Sequence, residues 1–163
     1  MQNALARPPA GLLRRAFLLL LPLALLVGCV SFVAAYDPAS RDRITAISQD
    51  ALGLYQELLS TPPAGRRAKA VALQPRYDGV ETALRVHRLI EGTRPDNAES
   101  VRIATQLMNT LARFRAAQLS GDPTALTTAT LDAERQLVER LLAAALTGEE
   151  SKKLADAAQG GGT

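Results

Sequence analysis

The sequence predicts an all-α fold, an antiparallel up-and-down four-helix bundle. Three observations predict it. Apolar residues recur at three- and four-residue spacing through four segments. Proline- and glycine-containing breaks separate those segments. No alternating strand, hairpin signature or 20 to 50 residue repeat accompanies them. With 163 residues the chain has room for one domain.

The first 28 residues differ in composition from everything after them. Arg7, Arg14 and Arg15 precede Ala16 to Val27, AFLLLLPLALLV, and the segment holds no acidic residue. Charge followed by an apolar run is the order of a secretory signal peptide. The run is shorter than the roughly 20 residues that cross a ~30 Å hydrocarbon core, and Pro22 interrupts it. A cleaved leader over residues 1–28 is therefore expected rather than a permanent membrane helix.

Leu26-Val27-Gly28-Cys29 ends the run. This tetrapeptide resembles the lipobox of bacterial lipoproteins at all four positions. The resemblance implies cleavage after Gly28 and acylation of the Cys29 thiol. It also implies a membrane partner held through that lipid. One acyl chain at ~0.8 kcal/mol per CH₂ anchors marginally, whereas two or three anchor stably. Lipoproteins kept on the inner membrane usually carry Asp after the cysteine. Here Val30 and Ser31 follow, which implies the cell outer membrane, on its periplasmic face. Cys29 is the only cysteine, so no intrachain disulfide can form.

Residues 29–36 are expected to be the acylated cysteine and a short tether. Val30 to Tyr36 reaches roughly 25 Å when extended. Asp37-Pro38 reads as an N-cap with proline at the first helical position. The first helix then follows the stripe Ile44, Ile47, Ala51, Leu54, Tyr55 and Leu58. Thr61-Pro62-Pro63-Ala64-Gly65 breaks it.

A second helix is expected to be kinked near Pro75, whose ring clashes with the carbonyl four residues earlier. Its stripe is Tyr77, Val80, Leu84, Val86 and Ile90, with Gly92 as a left-handed end. Asp96 and Glu99 have capping-box spacing ahead of Val101, Ala104, Leu107, Met108, Leu111 and Phe114, the third stripe. Gly121 closes that helix. Asp122-Pro123 repeats the cap-and-proline start, and Leu126, Ala133, Leu137, Val138, Leu141 and Ala145 follow up to Gly148. The bundle is thus expected over 37–148, with 149–163 a polar, partly disordered tail in which Glu149 to Gln159 could add a turn or two of helix and Gly160 to Thr163 are disordered.

Charge narrows the partners. Three of the 19 basic residues lie in the leader, which leaves 16 against 16 acidic. A neutral mature chain gives no electrostatic reason for nucleic-acid binding.

Chemistry-bearing residues are sparse. His87 is the only imidazole, no G-x-S-x-G elbow accompanies it, and it reads as a boundary residue satisfied by a polar neighbour. One His and an acylated Cys cannot supply a structural zinc set, and no Glu-x-x-His motif marks a di-metal centre. Asp78 and Glu81 read as a solvated pair with Arg85 as i,i+4 partner of Glu81. Arg66, Arg67, Lys69 and Arg76 read as a charged loop in water, with lipid headgroups or an acidic partner as the other option. No catalytic residue, metal ligand or cofactor is expected.

The lipobox, the Tyr36-Asp37 and Tyr77-Asp78 pairs and the helical pattern together resemble small uncharacterised proteobacterial lipoproteins. Residue by residue, that likeness carries over Leu26, Val27, Gly28 and Cys29 and no catalytic position. The expectation is a non-enzymatic helical interaction or structural module that docks on another envelope protein. Tyr36 and Tyr77 are the candidate contacts, each of which could instead pack with a wet hydroxyl. The alternative is a bundle that binds a small molecule or lipid between its helices.

Overall fold

The computed structural model describes residues 34–160. Cys29 and its preceding motif Leu26, Val27 and Gly28 lie outside them. The described chain is all-helical: α1 (Pro38–Ser60), α2 (Arg66–Ala72), α3 (Gln74–Thr93), α4 (Ala98–Leu119) and α5 (Thr128–Gly160). Two 3-10 turns, Pro63–Gly65 and Pro123–Leu126, sit in the connections. There is no strand among the described residues.

Each helix starts for a local reason. The Asp37 carboxylate accepts from the Ala39 N–H at 3.0 Å, which caps α1 as expected. At the other break the sequence expectation shifts by one element. Asp122 caps the 3-10 turn, accepting from Thr124 N–H at 2.8 Å, and Thr127 then turns extended. The Thr127 hydroxyl accepts from Thr130 N–H at 3.2 Å, a second cap that opens α5.

Pro75 does more than kink a helix. It has no N–H to give to Val71, so the chain closes α2 at Leu73 and begins α3 at Gln74. Of the two outcomes proline allows, a kink or a restart, the chain takes the restart. Two glycine expectations fail. Gly92 lies inside α3, which runs one residue further before Arg94 turns extended. Gly148 lies inside α5, which continues to Gly160, so the helical turns allowed after Gly148 form as part of the same helix. Gly121 behaves as expected, ending α4 region at φ 97°, a conformation other residues enter only with strain.

The capping box does not form. Asp96 adopts φ 54°, Glu99 turns to Arg102 instead, and Asn97 takes the N-cap position while aiming its amide inward.

The long helices pack α1 against α3 and α5, and α4 against α3 and α5, with α2 lodged between α1 and α4. Between them Leu54, Tyr55, Leu58, Ala70, Leu84, Leu111, Leu131 and Val138 are essentially closed to solvent. Each fully buried leucine contributes roughly 2 kcal/mol of apolar transfer. No helix among the described residues is long and apolar enough to cross a membrane.

Candidate functional site

Two buried polar networks and several surface depressions are the places where this fold gathers polar chemistry. The first network surrounds Glu91, which is fully buried near the end of α3. Ser40 Oγ of α1 donates to Glu91 Oε1 at 2.7 Å, and Arg94 Nη1 reaches Oε2 at 2.6 Å. Asn97 adds its Nδ2 to the Glu91 carbonyl at 3.1 Å and also donates to the carboxylate. From α5, Lys152 Nζ donates to Asn97 Oδ1 at 2.7 Å and Ser100 Oγ at 2.8 Å while pairing with Glu149. Burial alone raises the Glu91 carboxyl, but the hydrogen bonds from Ser40 and Asn97 and the Arg94 charge outweigh it and hold it below the usual carboxylate range.

His87 lies beside this network, 3% exposed, so it is a core residue rather than a boundary one. Its Nδ1 stands 3.7 Å from Glu91 Oε1 and has no hydrogen-bond partner among the described residues. Burial pushes the imidazole below its ordinary range, against the pull of Glu91. Ser40, Glu91 and His87 do not form a nucleophilic relay, because Ser40 donates directly to the carboxylate instead of to the imidazole.

The second network joins α3, α4 and α5 through Tyr77, Gln118 and Glu134. The Tyr77 hydroxyl donates to Gln118 Oε1, and Gln118 Nε2 donates to Glu134 Oε2 at 2.6 Å. Burial pushes the Glu134 carboxyl up to about 7, and the Gln118 bond offsets only part of that. Burial likewise raises the Tyr55 and Tyr77 phenols, and the Tyr55 hydroxyl lies near Gln118 without a well-aligned hydrogen bond, since Gln118 accepts from Tyr77.

Tyr77 is therefore a core residue, 2% exposed, and a side chain enclosed in this way offers no outer contact. Tyr36 is different. It is half-buried, its backbone N–H donates to Asp156 Oδ2 at 2.7 Å, and it lines a depression of about 400 Å³ with Ala35, Ile90, Arg94 and Pro95.

Two charge expectations are corrected. Asp78 and Glu81 meet Arg115 of α4, at 2.8 and 3.2 Å, rather than Arg85. The basic run is not a free loop in water. Arg66 is buried and donates to the Thr61 and Leu126 carbonyls and to Thr128 Oγ1, each at 3.0 Å, so it ties the two loops at that end together. Lys69 and Arg76 both pair with Glu57.

Sequence reasoning missed Glu91, Asn97, Gln118, Glu134, Glu149 and Lys152 as interior residues. The available signal was register: Glu91 lies four residues beyond His87 and seven beyond Leu84, on the buried face of α3.

Open grooves of about 510 Å³ between α4 and α5, lined by Arg102, Asn109, Arg113 and Leu137, and of about 260 Å³ between α1 and α3, lined by Arg43, Ile47, Asp50 and Val86, lie at the surface, and the enclosed space among the helices is small. A cavity of about 10 Å³ lies between Ile44, Leu84, His87, Leu107 and Leu142, about the room one water needs. Among the described residues no group of three His, Cys, Asp or Glu is placed to hold a metal ion. Comparison of the chain with protein families, with curated proteins and with solved structures finds no match.

Proposed function

We propose that this protein is a lipid-anchored lipoprotein of the cell envelope, held through Cys29 on the periplasmic face of the outer membrane, whose helical domain is a non-enzymatic interaction or structural module. The observation that carries the reading is the sequence Leu26-Val27-Gly28-Cys29 closing a short apolar leader. In this reading the domain is an antiparallel up-and-down four-helix bundle, with α2 and α3 together as its second, broken member. Ser40 at the start of α1 meets Glu91 at the end of α3, and Tyr77 at the start of α3 meets Gln118 at the end of α4. Gln118 in turn meets Glu134 near the start of α5, so successive long helices reverse direction.

Docking is favoured over ligand carriage by where the apolar surface lies. Val71, Val86, Leu89 and Leu154 stand exposed, whereas the enclosed void is about 10 Å³ and the depressions of about 510, 400 and 260 Å³ are open to the surface and do not bury a ligand.

Metabolic labelling with palmitate tests the anchor. Label is expected in the wild type and not in Cys29→Ser; equal labelling of both overturns the reading. In-cell crosslinking from the exposed positions tests docking, and capture of no specific envelope protein overturns that part.

A further inference from the structure

We infer that the end of the domain carrying Tyr36 rests on the lipid bilayer itself, with Tyr36, Leu89, Ile90 and Pro95 seated in the headgroup layer. The inference rests on the lipid-anchor reading and deepens it, since it makes the folded surface, and not only the acylated cysteine, a membrane contact.

Chain length makes the first argument. From Ala34 onward the chain is fastened to the helices: Ala34 is buried, the Ala35 carbonyl accepts from Arg94, and the Tyr36 N–H donates to Asp156. Only five residue steps separate Ala34 from Cys29, which is at most roughly 17 Å of extended chain. A headgroup layer occupies about 5 to 7 Å of each leaflet, and a cysteine acylated into the hydrocarbon leaves the rest of that reach. The gap between the fastened residues and the lipid surface is then about one helix diameter or less.

Chemistry makes the second. The surface around the fastening point is mostly apolar: Tyr36, Ala35, Ile90 and Pro95 line the depression together with Asp37 and Arg94, and Leu89, the chain neighbour of Ile90, is 58% exposed. Tyrosine is a residue of membrane interfaces, with an apolar ring and a hydroxyl that stays wet. Two of the charges at the rim are neutralised in pairs, Asp37 with Arg43 at 3.1 Å and Arg94 with Glu91 at 2.6 Å, while Asp156, which accepts from the Tyr36 N–H, and Asp96 are exposed without a cation among the described residues and stay in water at the edge of the contact. Arg41 and Arg85 have no carboxylate partner within 4.0 Å among the described residues and are available to lipid phosphates.

The chain has no tryptophan, so a single introduced one reports its own depth. The full-length lipidated protein would be made as Tyr36→Trp, as Leu89→Trp and, for reference, as Val71→Trp on α2. Each is reconstituted into phosphatidylethanolamine–phosphatidylglycerol vesicles containing a brominated phosphatidylcholine. Leu89→Trp alters an exposed position and covers the case in which Tyr36→Trp perturbs the fastening. The expected result is loss of fluorescence at 36 and 89 with little at 71. Flotation with the vesicles but equal, weak quenching at all three positions overturns the inference while leaving the anchor intact. Failure to float at all overturns the anchor reading and this inference with it. Shielding of 36 and 89 from aqueous iodide only when an envelope-protein fraction is added assigns the patch to a protein and overturns it too.

Discussion

The Lys152 ammonium lies 2.7 Å from the Asn97 side-chain oxygen, across 55 residues of sequence, and through it α5 is bound to the start of α4. Lys152 also pairs with Glu149, whose side chain is 1% exposed. Lys152→Met is expected to destabilise the protein by about 1 to 3 kcal/mol in urea unfolding, because it leaves the buried Glu149 carboxylate with only the longer 3.7 Å contact to Arg94 and strips Asn97 and Ser100 of their donor. A change under 1 kcal/mol would show that the pair is not closed off from water.

Glu134 makes stability depend on pH in an unusual direction. Its carboxyl titrates near its ordinary value of 4.5 in the unfolded chain and at about 7 in the folded one. Between those values the folded state holds the extra proton. The contribution is therefore complete below pH 4.5 and is lost as pH rises through 7, by roughly 3 kcal/mol. Burial lowers His87, and its partners lower Glu91, so both act in the opposite sense and cost stability as pH falls. Comparison with Glu134→Gln isolates the group. Wild type should lose stability relative to the variant between pH 5 and pH 8 in urea titrations, and parallel curves would place Glu134 in water.

Two buried tyrosines separate a bonded hydroxyl from an unbonded one. Tyr77→Phe removes the donor to Gln118 and is expected to cost about 1 to 3 kcal/mol. Tyr55→Phe removes a hydroxyl without a well-aligned hydrogen bond among the described residues and should leave the unfolding midpoint level or raised. The reverse order would mean that Tyr55 carries the bond.

Gly148→Ala tests the length of α5. A Cβ there meets nothing within 4 Å, so alanine should stabilise the helix by about 0.5 to 1 kcal/mol in thermal melts. Destabilisation is the outcome a left-handed helix end at Gly148 would give.

What the sequence disclosed and what it hid divide along one line. The all-helical class and the α1 stripe were legible because Ile44, Ile47, Ala51, Leu54, Tyr55 and Leu58 lie on one buried face. Interruptions were harder. A glycine such as Gly148 reads as an end by local rule, yet packing on either side, Leu142 before it and Glu149 and Lys152 after it, carries the helix through. The polar interior was hidden for a different reason. Glu91, Glu134 and Lys152 look like surface residues one at a time, and only their partners on other helices make burial tolerable. Cys29 and the motif before it remain a matter of sequence, outside the described residues.

The bond from Tyr36 to Asp156 brings the first fastened residue and the last turns of α5 to one place. A load applied between the proposed lipid anchor and anything attached to the C-terminus would enter and leave at that junction. It would shear a few contacts there and leave the four long helices slack, so the domain would transmit tension like a clasp without being stretched. The same closeness means that a permuted chain, joined across that junction and opened at Gly121, could keep every helix in its place.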